Sequence, residues 1–109
     1  MANTFKLKTK ANVGVTTVGI YTAPASTTTV VIGITMANTS GSGVNVGVGI
    51  TRAGTTEDVK LLKNAPIPSG SSLEFMAGNK IVLEAPDTVT VDSDTNNSVD
   101  AALTIMEIT

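Results

Sequence analysis

The sequence predicts an all-β protein, an antiparallel two-sheet β-sandwich, jelly-roll-like, of about eight strands. Three observations lead there. Residues branched at Cβ dominate, with 13 Val and 18 Thr in 109 residues, and such side chains favour strands over helices. Apolar and small polar residues alternate through most of the chain, the two-residue period of a half-buried strand. Turn-forming clusters interrupt that alternation roughly every 8–14 residues, the spacing of a sandwich. A hydrophobic content of 41% against 15% charged residues fits a folded globule rather than a disordered tail. The length leaves room for one core only. A seven-stranded immunoglobulin-like sandwich is the alternative that sequence leaves open.

The alternation places the elements in order. Residues 4–9 set Phe5 and Leu7 on one face and Lys6 and Lys8 on the other. Residues 13–22 carry Val13, Val15, Val18 and Ile20, and the change of phase predicts a bulge or break near Thr16 and Thr17. Residues 28–37 put Val30, Ile32, Ile34 and Met36 on one face and Val31, Gly33, Thr35 and Ala37 on the other, as in a strand covered on both sides. Residues 44–52 alternate most regularly. Val44, Val46, Val48 and Ile50 are separated by Asn45, Gly47 and Gly49, so either another backbone approaches the glycine face or the strand bends. Residues 58–63 are read as a strand, being too few for an independent helix. Leu73 and Phe75 alternate with Glu74 and Met76, and Gly78-Asn79 predicts a tight hairpin into residues 80–84. Val89 and Val91 follow. Last come Val99, Ala101, Leu103 and Ile105, with Ala102, Thr104, Met106 and Ile108 opposite.

Between these runs lie Ala23-Pro24, Ser40-Gly41-Ser42-Gly43, Pro66-Ile67-Pro68-Ser69-Gly70, Ala85-Pro86-Asp87 and Asp94-Thr95-Asn96-Asn97, all turn chemistry. Ala-Pro steps at 23–24, 65–66 and 85–86 are expected to act as punctuation ahead of strands. The chain divides into an N-terminal arm or edge strand at residues 1–10 and a single sandwich at 11–109.

The chain holds no Cys and no His. That removes disulfides, thiolate zinc sites, His-based triads and most transition-metal sites. A formal charge of −2 with a single basic cluster, Lys6, Lys8 and Lys10, argues against a nucleic-acid partner. Those lysines read as a solvated or charge-protected edge. No apolar run reaches the ~18–20 residues that span a bilayer, and the lysines are not followed by the apolar stretch of a secretory signal. Neither a membrane partner nor a cofactor is expected.

Asp92, Asp94, Asn96 and Asp100 form the best candidate for a metal site, because oxygen ligands at alternating positions resemble the start of a calcium loop. Asn97 stands where such a loop has Gly and Leu103 where it has Glu, so a polar hairpin bonding its own backbone is the competing reading. Glu57, Asp58, Glu74, Glu84 and Asp87 are the carboxylates from which a hydrolytic pair would be drawn. The chain lacks Trp and has one Tyr, so the stacking platform of a sugar cleft is missing and no enzyme activity is expected. Interaction candidates are Phe5, Lys6, Leu7 and Lys8 in the arm, which is expected to be able to exchange between subunits, with Met106 and Ile108 in a closing strand apolar on both faces.

The segments Ile20-Tyr21-Thr22-Ala23-Pro24, Val30-Val31-Ile32-Gly33, Leu61-Leu62-Lys63-Asn64-Ala65-Pro66-Ile67-Pro68, Lys80-Ile81-Val82-Leu83-Glu84 and Leu103-Thr104-Ile105-Met106-Glu107-Ile108 resemble small β-rich virion structural proteins of tailed bacteriophages, especially phages of aquatic bacteria and cyanobacteria. The resemblance implies a virion component made in the host cytoplasm. It would be a capsid decoration or cement protein stabilising the head, partnered by the major capsid protein or other virion subunits and by copies of itself, with a trimer favoured. A tail, neck, baseplate or fibre-associated module is the first alternative, and a host-glycan-binding module the second. The resemblance carries no catalytic residues to transfer.

Overall fold

The computed structural model describes residues 3–52, 57–75 and 80–109. Among the described residues nine strands follow in order: β1 Asn3–Val13, β2 Val18–Thr22, β3 Thr28–Asn38, β4 Val44–Arg52, β5 Glu57–Ile67, β6 Ser72–Phe75, β7 Ile81–Glu84, β8 Thr88–Ser93 and β9 Val99–Ile108. The predicted Gly78-Asn79 hairpin and Met76 lie outside the described residues. Two antiparallel sheets result. One has the order β1-β9-β3-β6 with β7 also on β3, the other β2-β8-β4-β5.

This pairing is nested: β1 with β9, β2 with β8, β3 with β6 and β7, β4 with β5. A long antiparallel ribbon rolled on itself gives that order, which makes the sandwich a jelly roll and not an immunoglobulin-like one. The extra strand arises because β6 and β7 take successive stretches of β3, Ile34–Ala37 and Thr28–Val31.

The core lies between the sheets and is built from aliphatic residues of moderate size. Ile34, Met36, Val46, Val48, Leu83, Val91, Leu103 and Ile105 are almost fully buried. β4 and β9 bury the faces that their alternation predicts. Two expectations change. In β3 a bulge between Val31 and Gly33 shifts the register, so Val31, Ile34 and Met36 face the core while Val30 lies on the opposite face from Met36. Ala65-Pro66 does not precede a strand but lies within β5, where Pro66 sits opposite Asn45. β5 is the sheet's edge, so the missing proline N–H leaves no ladder bond unmade. The run 13–22 breaks as expected, β1 ending at Val13 and β2 starting at Val18.

The glycine face of β4 is a close approach of other groups. A Cβ at Gly49 would sit 3.0 Å from the Val59 carbonyl and 3.1 Å from Thr90 Oγ1. One at Gly47 would collide with Asp92 Oδ1 and lie 3.3 Å from the Leu62 carbonyl. At the opposite end of the chemistry, Asn38 is buried and fully bonded. Its Nδ2 donates to the carbonyls of Ser42 (2.8 Å) and Ile67 (2.9 Å), and its Oδ1 accepts from Ser40. No buried side-chain polar atom among the described residues lacks a partner.

Candidate functional site

β1 is the edge strand of its sheet, and its register on β9 fixes where each arm residue goes. Phe5 stands opposite Met106 and Leu7 opposite Thr104, whereas Lys6 stands opposite Ile105 and Lys8 opposite Leu103. Directly opposed residues share a face. Ile105 and Leu103 are core residues, so Lys6 and Lys8 lie on the side turned toward the second sheet, and Phe5 and Leu7 point outward. The lysines thus lie on the edge strand, as expected, but on its inward side, which the alternation could not tell because it defines two faces without saying which is inner. The second sheet covers little of this edge: Lys6 and Lys10 stay exposed and Lys8 is half-buried.

The outward side of this sheet carries a continuous apolar row. Phe5 pairs with Met106, Met106 with Val30, and Val30 with Val82, across four neighbouring strands. Phe5 is 70% exposed, Leu7 64% and Val82 59%. Ile108 lies one pleat away, opposite Asn3 and Thr28. Four of the sequence-selected interaction residues, Phe5, Leu7, Met106 and Ile108, thus meet on one surface. Val30 and Val82 complete it, and only the pairing of β3 with β7 and β9 brings them there. The outward side of β4 and β8 in the other sheet is polar, formed by Asn45, Gly47 and Gly49 beside Asp92 and Thr90.

Lys6 takes part in a different arrangement, one that sequence reading missed. Its ammonium lies 2.8 Å from Glu107 Oε1. Tyr21 Oη donates to Glu107 Oε2 at 2.6 Å and shares a 2.8 Å hydrogen bond with Thr29 Oγ1. Glu107 and Tyr21 are both buried, and these four residues come from β1, β9, β2 and β3, so the network ties both sheets together. The hydrogen bond from Lys6, then that from Tyr21, holds the Glu107 carboxyl below its ordinary pKa. Burial, then the bond to Glu107, pushes the Tyr21 phenol up to about 12. The signal was present: the inward positions Val99, Ala101, Leu103 and Ile105 continue with period two to Glu107.

The three aspartates among the calcium candidates serve separate backbone or hydroxyl groups. Asp92 Oδ2 accepts from Thr17 Oγ1 (3.2 Å), Asp94 Oδ1 from the Asn45 N–H (3.1 Å), and Asp100 Oδ1 from the Asn12 N–H (2.9 Å). Asn96 lies in the turn beside Gly14, and Asn97 adopts a positive φ of 51°, a conformation that Asn tolerates well. No group of three or more acidic side chains among the described residues is arranged to hold a metal ion. Of the other carboxylates, Glu84 and Asp87 both bond Arg52, Glu57 and Asp58 begin β5, and Glu74 lies in β6. Shallow hollows line the β4–β5 edge, one of about 190 Å³ beside Asp58 and Lys60. Among the described residues no helix is long and apolar enough to cross a membrane.

The sequence matches no protein-family profile and no curated protein. Solved structures do match. A Bacillus endospore appendage, described as a disulfide-linked pilus, superposes with a TM-score of 0.57 at 17% identity, over 99% of this chain and 87% of that one. Chains of the infectious bursal disease virus particle superpose with TM-scores of 0.56 and 0.57 at 13% and 12% identity, over 96% and 95% of this chain. This chain spans only 30–33% of those viral chains. The jelly-roll sandwich is thus a fold that this chain shares with virus capsid proteins and a spore-appendage pilus.

Proposed function

We propose that this chain is a structural subunit of a virion, a capsid decoration or cement protein that stabilises the head through protein–protein contacts. The observation that carries the reading is the outward apolar row Phe5–Met106–Val30–Val82 on one sheet. Monomeric soluble proteins rarely expose contiguous apolar surface of that kind unless a partner covers it. The fold shared with capsid proteins supports the reading, as do Asp94, Asp100, Glu84 and Asp87, whose carboxylates bond backbone N–H groups or Arg52. Many copies, each holding weakly, would add up on a repeating shell.

A filament subunit is the second reading. It is favoured by the superposition on the Bacillus spore appendage, which extends over nearly the whole of both chains. With no Cys, such a filament would be held by packing alone, without disulfides.

Quantitative mass spectrometry of purified particles, with electron microscopy of the recombinant chain, tests these readings. Hundreds of copies per particle and binding to preformed shells are expected. Six to a few dozen copies would move the chain to the tail or baseplate. Absence from particles together with ordered fibres from the pure protein would replace the virion reading by the filament one.

A further inference from the structure

We infer that the outward face of β1, β9, β3 and β7 is covered by the same face of a second copy of this chain, related by a two-fold axis. The inference rests on the reading of the chain as an assembling structural subunit and specifies one of its contacts.

Size is the first argument. β1 and β3 have eleven residues each. β9 has ten and β7 four, so at a rise of ~3.3 Å per residue and a strand spacing of ~4.8 Å this face measures roughly 570 Å² in projection. A specific interface buries at least about 500 Å² on each partner, which a face of this size can supply.

Composition is the second argument. The outward residues of β9 are Ala102, Thr104, Met106 and Ile108, with Asp100 at the far end. Asp100 already bonds the Asn12 N–H. The row itself has no charged member, the nearest being Glu84 at the margin of the face, opposite Thr28 and paired with Arg52, and depletion of charge with retention of large apolar side chains marks the core of an interface. Gly33, Thr35 and Ala102 keep the neighbouring surface low, so a second flat sheet can approach the row.

Self-complementarity is the third. A head-to-tail contact would need a second apolar patch elsewhere. Among the described residues, the remaining exposed large apolar side chains are Val15 and Val59. Val15 lies between β1 and β2 and Val59 in β5; Val59 lines a hollow of about 230 Å³ with Ile50, Ile81, Val82 and Leu83, which is too small to cover a row that crosses four strands. The outward side of the other sheet is polar. Among the described residues, the surface of this chain that matches the row in extent is the row itself, which makes a contact between copies isologous. A cyclic trimer built through this face is incompatible with that geometry.

Sedimentation velocity of the full chain over a wide concentration range tests the inference. A dimer is expected. Val82→Lys should weaken it at least tenfold, and Phe5→Lys with Val82→Lys should leave monomer, with circular dichroism unchanged. Asn45→Lys, on the polar outer side of the other sheet, should leave the dimer intact. A spin label placed at Leu7→Cys should show strong coupling between copies, and one at Asn45→Cys should not; this arm stands even if the lysine variants fold poorly. A monomer at every concentration, a trimer, a dimer indifferent to the lysines, or coupling at Asn45 in place of Leu7 would each overturn the inference. Shell binding is measured separately. A monomer that still decorates shells defeats this contact and leaves the virion reading standing, while a face-to-face dimer that never binds shells does the reverse.

Discussion

Tyr21 and Glu107 meet 2.6 Å apart between the two sheets, the phenol donating to a buried carboxylate that Lys6 also holds. Their bond links β2 in one sheet to β9 in the other, and through Lys6 it anchors the edge strand β1. Placing a carboxylate inside a sandwich is unfavourable unless its oxygens are bonded. Here each of the two oxygens has a donor.

Removing one donor should therefore be felt. Tyr21→Phe leaves Glu107 Oε2 and Thr29 Oγ1 without their shared partner, and should destabilise the fold by about 1–3 kcal/mol. Urea denaturation followed by circular dichroism measures this. An unchanged midpoint would mean that the buried contact contributes nothing to stability.

The same network sets a pH dependence with two limbs. Glu107 is held below its ordinary value of 4.5, chiefly by the Lys6 hydrogen bond. In acid the unfolded chain thus binds a proton that the folded protein resists. Stability should be complete above about pH 4.5 and fall as the pH drops through the lowered folded value. Tyr21 is raised from 10.0 to about 12, chiefly by burial. Its contribution should be complete below pH 10 and vanish as the pH rises from 10 toward about 12. Melting temperatures recorded against pH should show both limbs, with Glu107→Gln flattening the first and Tyr21→Phe the second.

Gly49 and Gly47 should differ under substitution. Gly49→Ala brings its Cβ to 3.0 Å from the Val59 carbonyl, a backbone atom that cannot move without disturbing the β4–β5 ladder. Overpacking of this kind costs about 1–3 kcal/mol. At Gly47 the nearest obstacle is the end of the Asp92 side chain, which can turn away by giving up its bond from Thr17. Thermal melts should rank Gly49→Ala as the more damaging, and Asp92→Ala should relieve Gly47→Ala but not Gly49→Ala.

Calcium should leave the melting temperature unchanged. Asp92, Asp94 and Asp100 each answer a different donor, in Thr17, Asn45 and Asn12, so binding would require breaking those bonds first. A rise in melting temperature with millimolar calcium, absent with magnesium, would show that the turn rearranges around the ion.

The sequence by itself determined the strands and most of their inward faces. A regular period of two, as in Val44-Asn45-Val46 and in Val99 through Ile105, is a local property that packing seldom overrides. It also singled out Phe5, Leu7, Met106 and Ile108, which lie together on the outward side of one sheet. Tertiary structure decided the rest. The bulge between Val31 and Gly33 turned Val31 inward and Val30 outward while Ile34 and Met36 kept their shared face, and the edge position of β5 admitted Pro66 into a strand. Pairing of β1 on β9 turned Lys6 and Lys8 inward and left Phe5 outside. Val30 and Val82 joined the apolar row only because β3 lies between β9 and β7. Alternation is encoded residue by residue, whereas the direction of each face and the neighbours across it are set by register between strands up to about a hundred positions apart, such as Asn3 opposite Ile108. That long-range choice follows from the burial of the whole core at once, which no short stretch of sequence specifies.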